Sequence, residues 1–117
     1  MDVMLLTLLL VKHAIADLYL QTLHLNTDKT KYLGNGHKHY IEHGLGTLLV
    51  CLFFVSPFLA LVASLLDYLI HWHIDYLKTL YVQKKHVDRD SSQFFRIQTF
   101  DQIAHYLTYF ALVYYLL

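Results

Sequence analysis

Apolar and polar positions divide the chain into four helical segments. The first, about residues 3–23, is oily from Val3 to Val11 and then carries Lys12, His13, Asp17 and Gln21. It gives way to a polar stretch from His24 to Gly36, where Asn26, Thr27, Asp28, Gly34, Asn35 and Gly36 break helix. The second, about 37–55, reverses the order, polar first and oily from Gly44 onward. Ser56-Pro57 then offers a capping serine and a proline for the first helical position. The third, about 57–82, is oily from Phe58 to Leu66 and polar beyond Asp67. A basic loop, QKKHVDRDSS, leads to the fourth, about 93–117, which is oily only from Tyr106 onward.

The run Gly44–Leu66 holds 23 residues without a charged or imidazole side chain, more than the roughly 18 that suggest a membrane span. It reads either as one span kinked at Pro57 or as the outer halves of a hairpin. The hairpin places all four polar halves on one side, together with Lys29, Lys31 and Lys38 of one loop and Lys84, Lys85 and Arg89 of the other. The positive-inside rule makes that side cytoplasmic. The termini and the Ser56 turn then face outward, the periplasmic side of a bacterial inner membrane. The predicted fold is therefore all-α: a single domain over residues 1–117, a four-transmembrane-helix bundle of two hairpins with a polar cluster in its cytoplasmic half.

Composition agrees. The chain is 56% hydrophobic and 15% charged, against about 25% charged in soluble domains. A net charge of zero gives a nucleic-acid partner no electrostatic support. One cysteine, Cys51, rules out an internal disulfide and a cysteine-based zinc site. The start, MDVMLLTLLLVKHAIAD, lacks a basic leader and puts Lys12 and His13 where a signal peptide stays apolar, so it is expected to be a retained helix.

Each segment carries an i, i+4 pair of metal ligands or acid–base groups: His13 and Asp17, His39 and His43, His71 and Asp75, Asp101 and His105. Residues four apart share a helix face. Counted from the cytoplasmic ends at about 1.5 Å per residue, all four pairs occupy one layer roughly 3 to 18 Å deep. Ionisable groups in a bilayer turn inward to be paired, hydrated or metal-bound, and facing helices of bundles hold metals with such side chains. These eight residues are the candidate ligands. A divalent transition metal is implied, zinc first, with iron or manganese as alternatives. Asp17 and Asp101 are the candidate proton acceptors, and Lys78 the candidate for neutralising substrate charge. His39-Tyr-Ile-Glu-His43 also fits the H-x-x-E-H helix motif of zinc proteases, which adds Glu42 as a candidate base. Lys12 is expected to snorkel, and His24, His37, His73 and His86 to be interfacial or loop residues. The tyrosines read mostly as belt and packing residues.

The elements KHAIADLYLQ, HYIEHG, HWHIDYLK and FDQIAH, in this order and spanning nearly the whole chain, resemble the bacterial and phage membrane family called domain of unknown function 3307. Leu18 stands where that pattern has an aromatic, and Asp67 and Glu42 lie outside it. The resemblance brings no activity with it. A more distant likeness, to membrane-bound metal-dependent hydrolases with His- and Asp-bearing helices, concerns the fold alone.

Three classes of function follow. A metal-dependent hydrolase would act at the cytoplasmic face on a lipid-like or phosphorylated substrate, with membrane lipid as its surroundings and oligomerisation left open. A metal or proton carrier would use the same groups as a relay, although the outer half offers only Thr7, Thr47, Ser56, Ser64 and Thr108. A structural or interaction protein would use the polar network to fix helix register.

Overall fold

Asp2 opens the first helix by accepting the Leu5 N–H at 2.9 Å. The structure, a computed structural model, describes residues 1–24 and 28–117. Asn26 and Thr27, two of the expected helix breakers, lie outside the described residues, as does the His24 side chain. Helix α1 spans Val3–Ala14. It continues as a π-helical turn over Ile15–Tyr19 and a 3₁₀ turn over Leu20–His24. The expected first segment is thus helical throughout but not uniformly α.

Helix α2, His37–Cys51, and helix α3, Pro57–Lys84, are separate. The chain turns between them, with Phe54 and Val55 both donating to the Cys51 carbonyl at 2.9 Å. The cause is local. A residue before proline is driven out of the helical region; Ser56 sits at ψ 152°, and its side chain caps α3 at the Leu59 N–H. The hairpin reading holds and the single kinked span does not. Gly44 lets the two helices touch: a Cβ there would stand 3.3 Å from both the Ser64 carbonyl and the Tyr68 Cβ. The Ser64 hydroxyl donates to the Gly44 carbonyl at 2.7 Å.

Helix α3 ends in a left-handed turn. His86 has φ 51°, and the Val87 N–H returns to the Val82 carbonyl at 3.0 Å, an arrangement that usually employs glycine. Ser91 then caps helix α4, Ser92–Ala111, which closes in a π-helical turn over Leu112–Leu116. Each helix packs against the next, and α4 returns to α1, making a ring of four.

Apolar and polar interiors are separated along the bundle. Leu5, Leu6, Leu9, Cys51, Ala60, Ala63, Leu112 and Val113 fill the end that holds the termini and the Ser56 turn. The other half buries histidine and aspartate. Large apolar side chains such as Leu45, Leu49, Phe58, Leu61, Leu65, Leu107 and Tyr115 lie outside. Among the described residues, two helices, Val3–Leu23 and Pro57–Lys84, are long and apolar enough to cross a membrane.

The connection before α2 docks onto α3. Tyr32 stacks near Trp72 with ring centroids 4.5 Å apart, and its hydroxyl meets His73 Nε2 at 2.9 Å. His37 is tied to the Tyr68 hydroxyl at 2.7 Å. Exposed His73 and His86 and half-buried His37 stay outside the polar core, as expected. At the start of this connection, Asp28 accepts from the Thr30 side chain and N–H, which hold its carboxyl below the usual carboxylate range.

Candidate functional site

All eight candidate ligands are drawn into one cluster, with side chains buried or nearly so. Their i, i+4 spacing puts one pair on the inner face of each helix, and the ring arrangement brings the four faces together. His43, His71 and His105 form a stack, with centroids 3.6 Å apart for the first pair and 4.0 Å for the second, each tilted by 24°.

The ring nitrogens separate into two roles. His13 Nε2 lies 3.1 Å from Gln102 Oε1, and its Nδ1 lies 3.3 Å from the Tyr109 hydroxyl. Gln102 Nε2 stands between Asp17 Oδ2 at 2.9 Å and Asp101 Oδ2 at 3.2 Å. That placement fixes the amide orientation, so His13 Nε2 donates and Nδ1 accepts. Both nitrogens are engaged by protein. His43 Nδ1 faces the Lys12 ammonium at 3.5 Å. A ring N–H would not point at a cation, so the His43 proton sits on Nε2 and is donated to Asp17 Oδ1 at 3.1 Å. His43 therefore bonds Asp17 directly and His13 reaches it through Gln102, while His13, Asp17, His43 and His71 also form a set whose ligand atoms lie within 4.8 Å of one another.

His39 and His71 differ. Their Nε2 atoms face each other at 3.2 Å, and Asp75 Oδ2 completes a triangle at 3.7 and 3.4 Å. Ligands of a tetrahedral zinc, each 2.0–2.1 Å from the metal, stand about 3.3 Å apart. The Nδ1 atoms of both rings are buried without a hydrogen-bond partner among the described residues. Asp17 Oδ1 flanks the triangle, 3.1 Å from His39 Nε2 and 3.6 Å from His71 Nε2. A second triangle joins Asp75 Oδ1 to His105 Nε2 at 3.2 Å and His105 Nε2 to Asp101 Oδ1 at 3.6 Å. Asp75 thus gives one oxygen to each triangle. Both are among the His/Asp sets whose ligand atoms lie within 4.8 Å of one another.

The lysines correct several expectations. Lys12 does not snorkel: its ammonium is buried against Asp67 Oδ2 at 2.9 Å, the Tyr109 hydroxyl at 2.8 Å and the His43 carbonyl at 3.3 Å. Gly46 makes room for it, since a Cβ there would stand 2.7 Å from Lys12 Cδ. Thr47 also donates to Asp67. Buried Tyr109 is a network member, not a belt residue. Lys29 leaves its loop to donate to Asp75 Oδ2 at 2.8 Å. Lys78 lies 3.3 Å from Asp101 Oδ2 and donates to Gln98 at 3.1 Å. Asp67, Asp75 and Asp101 each have a lysine; around Asp17 the hydrogen-bonding partners among the described residues are imidazoles and an amide. Glu42 is partly buried on α2 and is not one of the side chains whose ligand atoms converge.

Spacing pointed to Asp67, four residues before His71, but not to Lys12, Lys29 or Tyr109, whose partners lie on other helices. Gln102, beside Asp101, was legible as part of its pair. A cavity of about 810 Å³ leads from His86 and Arg89, in the loop after α3, to Asp17 and Asp75. The π-helical turn of α1 carries Asp17. Such turns are frequent at functional sites, although the one at Leu112–Leu116 lies in the apolar end.

No curated protein and no solved structure matches the chain. The family described as Protein of unknown function (DUF3307) matches residues 5–117, nearly the whole sequence, and the chain belongs to that family.

Proposed function

We propose that this chain is an integral membrane protein, with all four helices in the bilayer, and that its cluster is the metal centre of a hydrolase opening to the cytoplasmic face. The inverted distribution of side chains supports the membrane assignment: ionisable groups are inside and large apolar groups outside. The long axis of 44 Å suits a bilayer of about 40–45 Å with its headgroups. Basic loops at one end orient that end to the cytoplasm, leaving the termini and the Ser56 turn on the outer side. With Cys51→Ala as background, Ser56→Cys should react with an impermeant thiol reagent added outside cells, and Lys85→Cys only after permeabilisation. The opposite labelling pattern would overturn this orientation.

The observation that carries the catalytic reading is the His39–His71–Asp75 triangle, whose Asp75 lines an open cavity while His39 and His71 lie buried behind it. Three protein ligands leave one corner of a tetrahedron for water or substrate, as catalytic zinc sites do; the same ligand types also suit iron(II). A divalent metal held there would lower the pKa of a bound water to about 7. Asp17, fixed by His43 and Gln102, is placed to accept the proton. Lys29 and Lys78 supply positive charge beside the acids, and Asp101 with His105 offers a second ligand set that shares Asp75. The apolar core beyond the Lys12–Asp67 pair supports catalysis over conduction.

The three lysine–aspartate pairs favour a second reading, a charge-balanced network that fixes helix register without metal. Metal analysis separates the two. Protein purified without chelator is expected to carry at least about one zinc, iron or manganese per chain, and His39→Ala or His71→Ala to lose it. Wild-type protein free of transition metal would leave the structural network standing and remove the hydrolase.

A further inference from the structure

We infer that the cavity over the cluster binds a phosphate-bearing amphiphile, with the phosphate held by His86 and Arg89 and the apolar part lying on Val82 and Phe94. This deepens the proposed reading of the same site and rests on it for what happens after binding. The first support is the lining. Lys29, Lys78, His86 and Arg89 lie around a space that reaches Asp17 and Asp75, while Val82 and Phe94 give it an apolar wall. Lys29 and Lys78 reach it already paired with Asp75 and Asp101, so Arg89 is the cation at the rim, and its planar guanidinium matches phosphate oxygens in pairs. The apolar wall adds area that a free phosphate does not use. Val82 lies in the last turns of α3 and Phe94 in the first turn of α4, so the wall stands at the loop end of the bundle.

The second support is independent of charge. His86 is the one described non-glycine residue with positive φ, at 51°. It occupies the left-handed position just after α3, where glycine is the residue free of steric penalty. Backbone strain of this kind concentrates at ligand sites. Histidine tolerates this conformation better than most residues, and here its imidazole stands on the lining of the cavity, where it can be used.

Strain and use make opposite demands on one substitution. His86→Gly should melt at the same or a higher temperature than wild type, because it relieves the left-handed turn, and yet bind the ligand more weakly. His86→Asn, which also tolerates this conformation, controls for added loop freedom. Purified protein in neutral detergent is titrated calorimetrically with dihexanoyl phosphatidic acid, with dihexanoylglycerol and with inorganic phosphate. Metal content is measured on the same samples. The expected result is binding of the phosphatidic acid at least about tenfold tighter than of the uncharged glyceride or of free phosphate. Arg89→Gln, His86→Gly and His86→Asn should each weaken it about tenfold, or about 1.4 kcal/mol, the scale of one contact removed from several. Phe94→Ala should weaken the lipid and leave inorganic phosphate unchanged.

Equal binding of phosphatidic acid and the glyceride overturns the inference, as does unchanged affinity in the His86 and Arg89 variants. Free phosphate binding as tightly as the lipid overturns the amphiphile and leaves a site for soluble phosphate. Loss of anion selectivity in metal-loaded protein counts against this inference alone. A metal-free protein that still selects the phosphatidic acid retains it and counts against the metal centre.

Discussion

Replacing Lys12 by methionine is expected to destabilise the bundle by about 3–5 kcal/mol, the loss typical of removing one member of a buried ion pair. The methionine fits the slot beside Gly46, so packing changes little. What changes is Asp67, left as an unpaired anion among α1, α2, α3 and α4. Asp67→Asn added to Lys12→Met should recover most of the loss, because the amide oxygen still accepts from Thr47 while no charge remains buried. Unfolding of the two single variants, the double variant and wild type in detergent closes a double-mutant cycle. If Lys12→Met alone stays within about 1 kcal/mol of wild type, the ammonium is held no better than an exposed pair would hold it. Lys12 then belongs at the surface.

Asp75→Asn should abolish the response of the protein to chelator. Bound metal stabilises the folded state by about 2.7 kcal/mol at a free concentration one hundred times Kd, and chelation of wild type should remove that increment. Asp75 gives an oxygen to each triangle, so its loss should weaken metal binding by more than the roughly 10–100-fold typical of outer partners. Lys29→Met is combined with it, since Lys29 would otherwise be left facing an amide. Asp17→Asn is the informative contrast. It flanks the triangle and is expected to keep the metal while losing hydrolysis. His73→Gln, on the outside of α3, should match wild type in both respects. A chelator effect that survives in Asp75→Asn/Lys29→Met would show that the metal, if bound, sits elsewhere.

Much of this arrangement was legible because it is periodic. Polar residues four apart on each helix, together with the Ser56-Pro57 turn, are enough to place His13, Asp17, His39, His43, His71, Asp75, Asp101 and His105 in a common layer. Distinguishing their tasks was beyond periodicity. His13 and His43 resemble His39 and His71 along the chain, and only the groups facing their second nitrogens, Tyr109 and Lys12, separate orienting rings from candidate ligands. Lys12 was misread for a related reason. A lysine just past the oily run Val3–Val11 reads as a snorkelling residue unless its partner is known, and Asp67 lies 55 positions away. The docking of Tyr32 on Trp72, which carries Lys29 inward, also depends on a long-range contact that no local signal announces.

That same separation sets a clock on assembly. In a membrane, α1 enters before α3 has been made, and at about 5–20 residues per second the 55 positions between Lys12 and Asp67 correspond to roughly 3 to 11 seconds of synthesis. Through that interval Lys12 has no carboxylate from α3, and its long stem carries the ammonium toward the headgroups. Only when α3 arrives can the charge be withdrawn into the bundle, past Gly46 and onto Asp67. On the proposed membrane assignment, the snorkelling lysine expected from the sequence corresponds to an early stage of the nascent chain, before Asp67 of α3 is present.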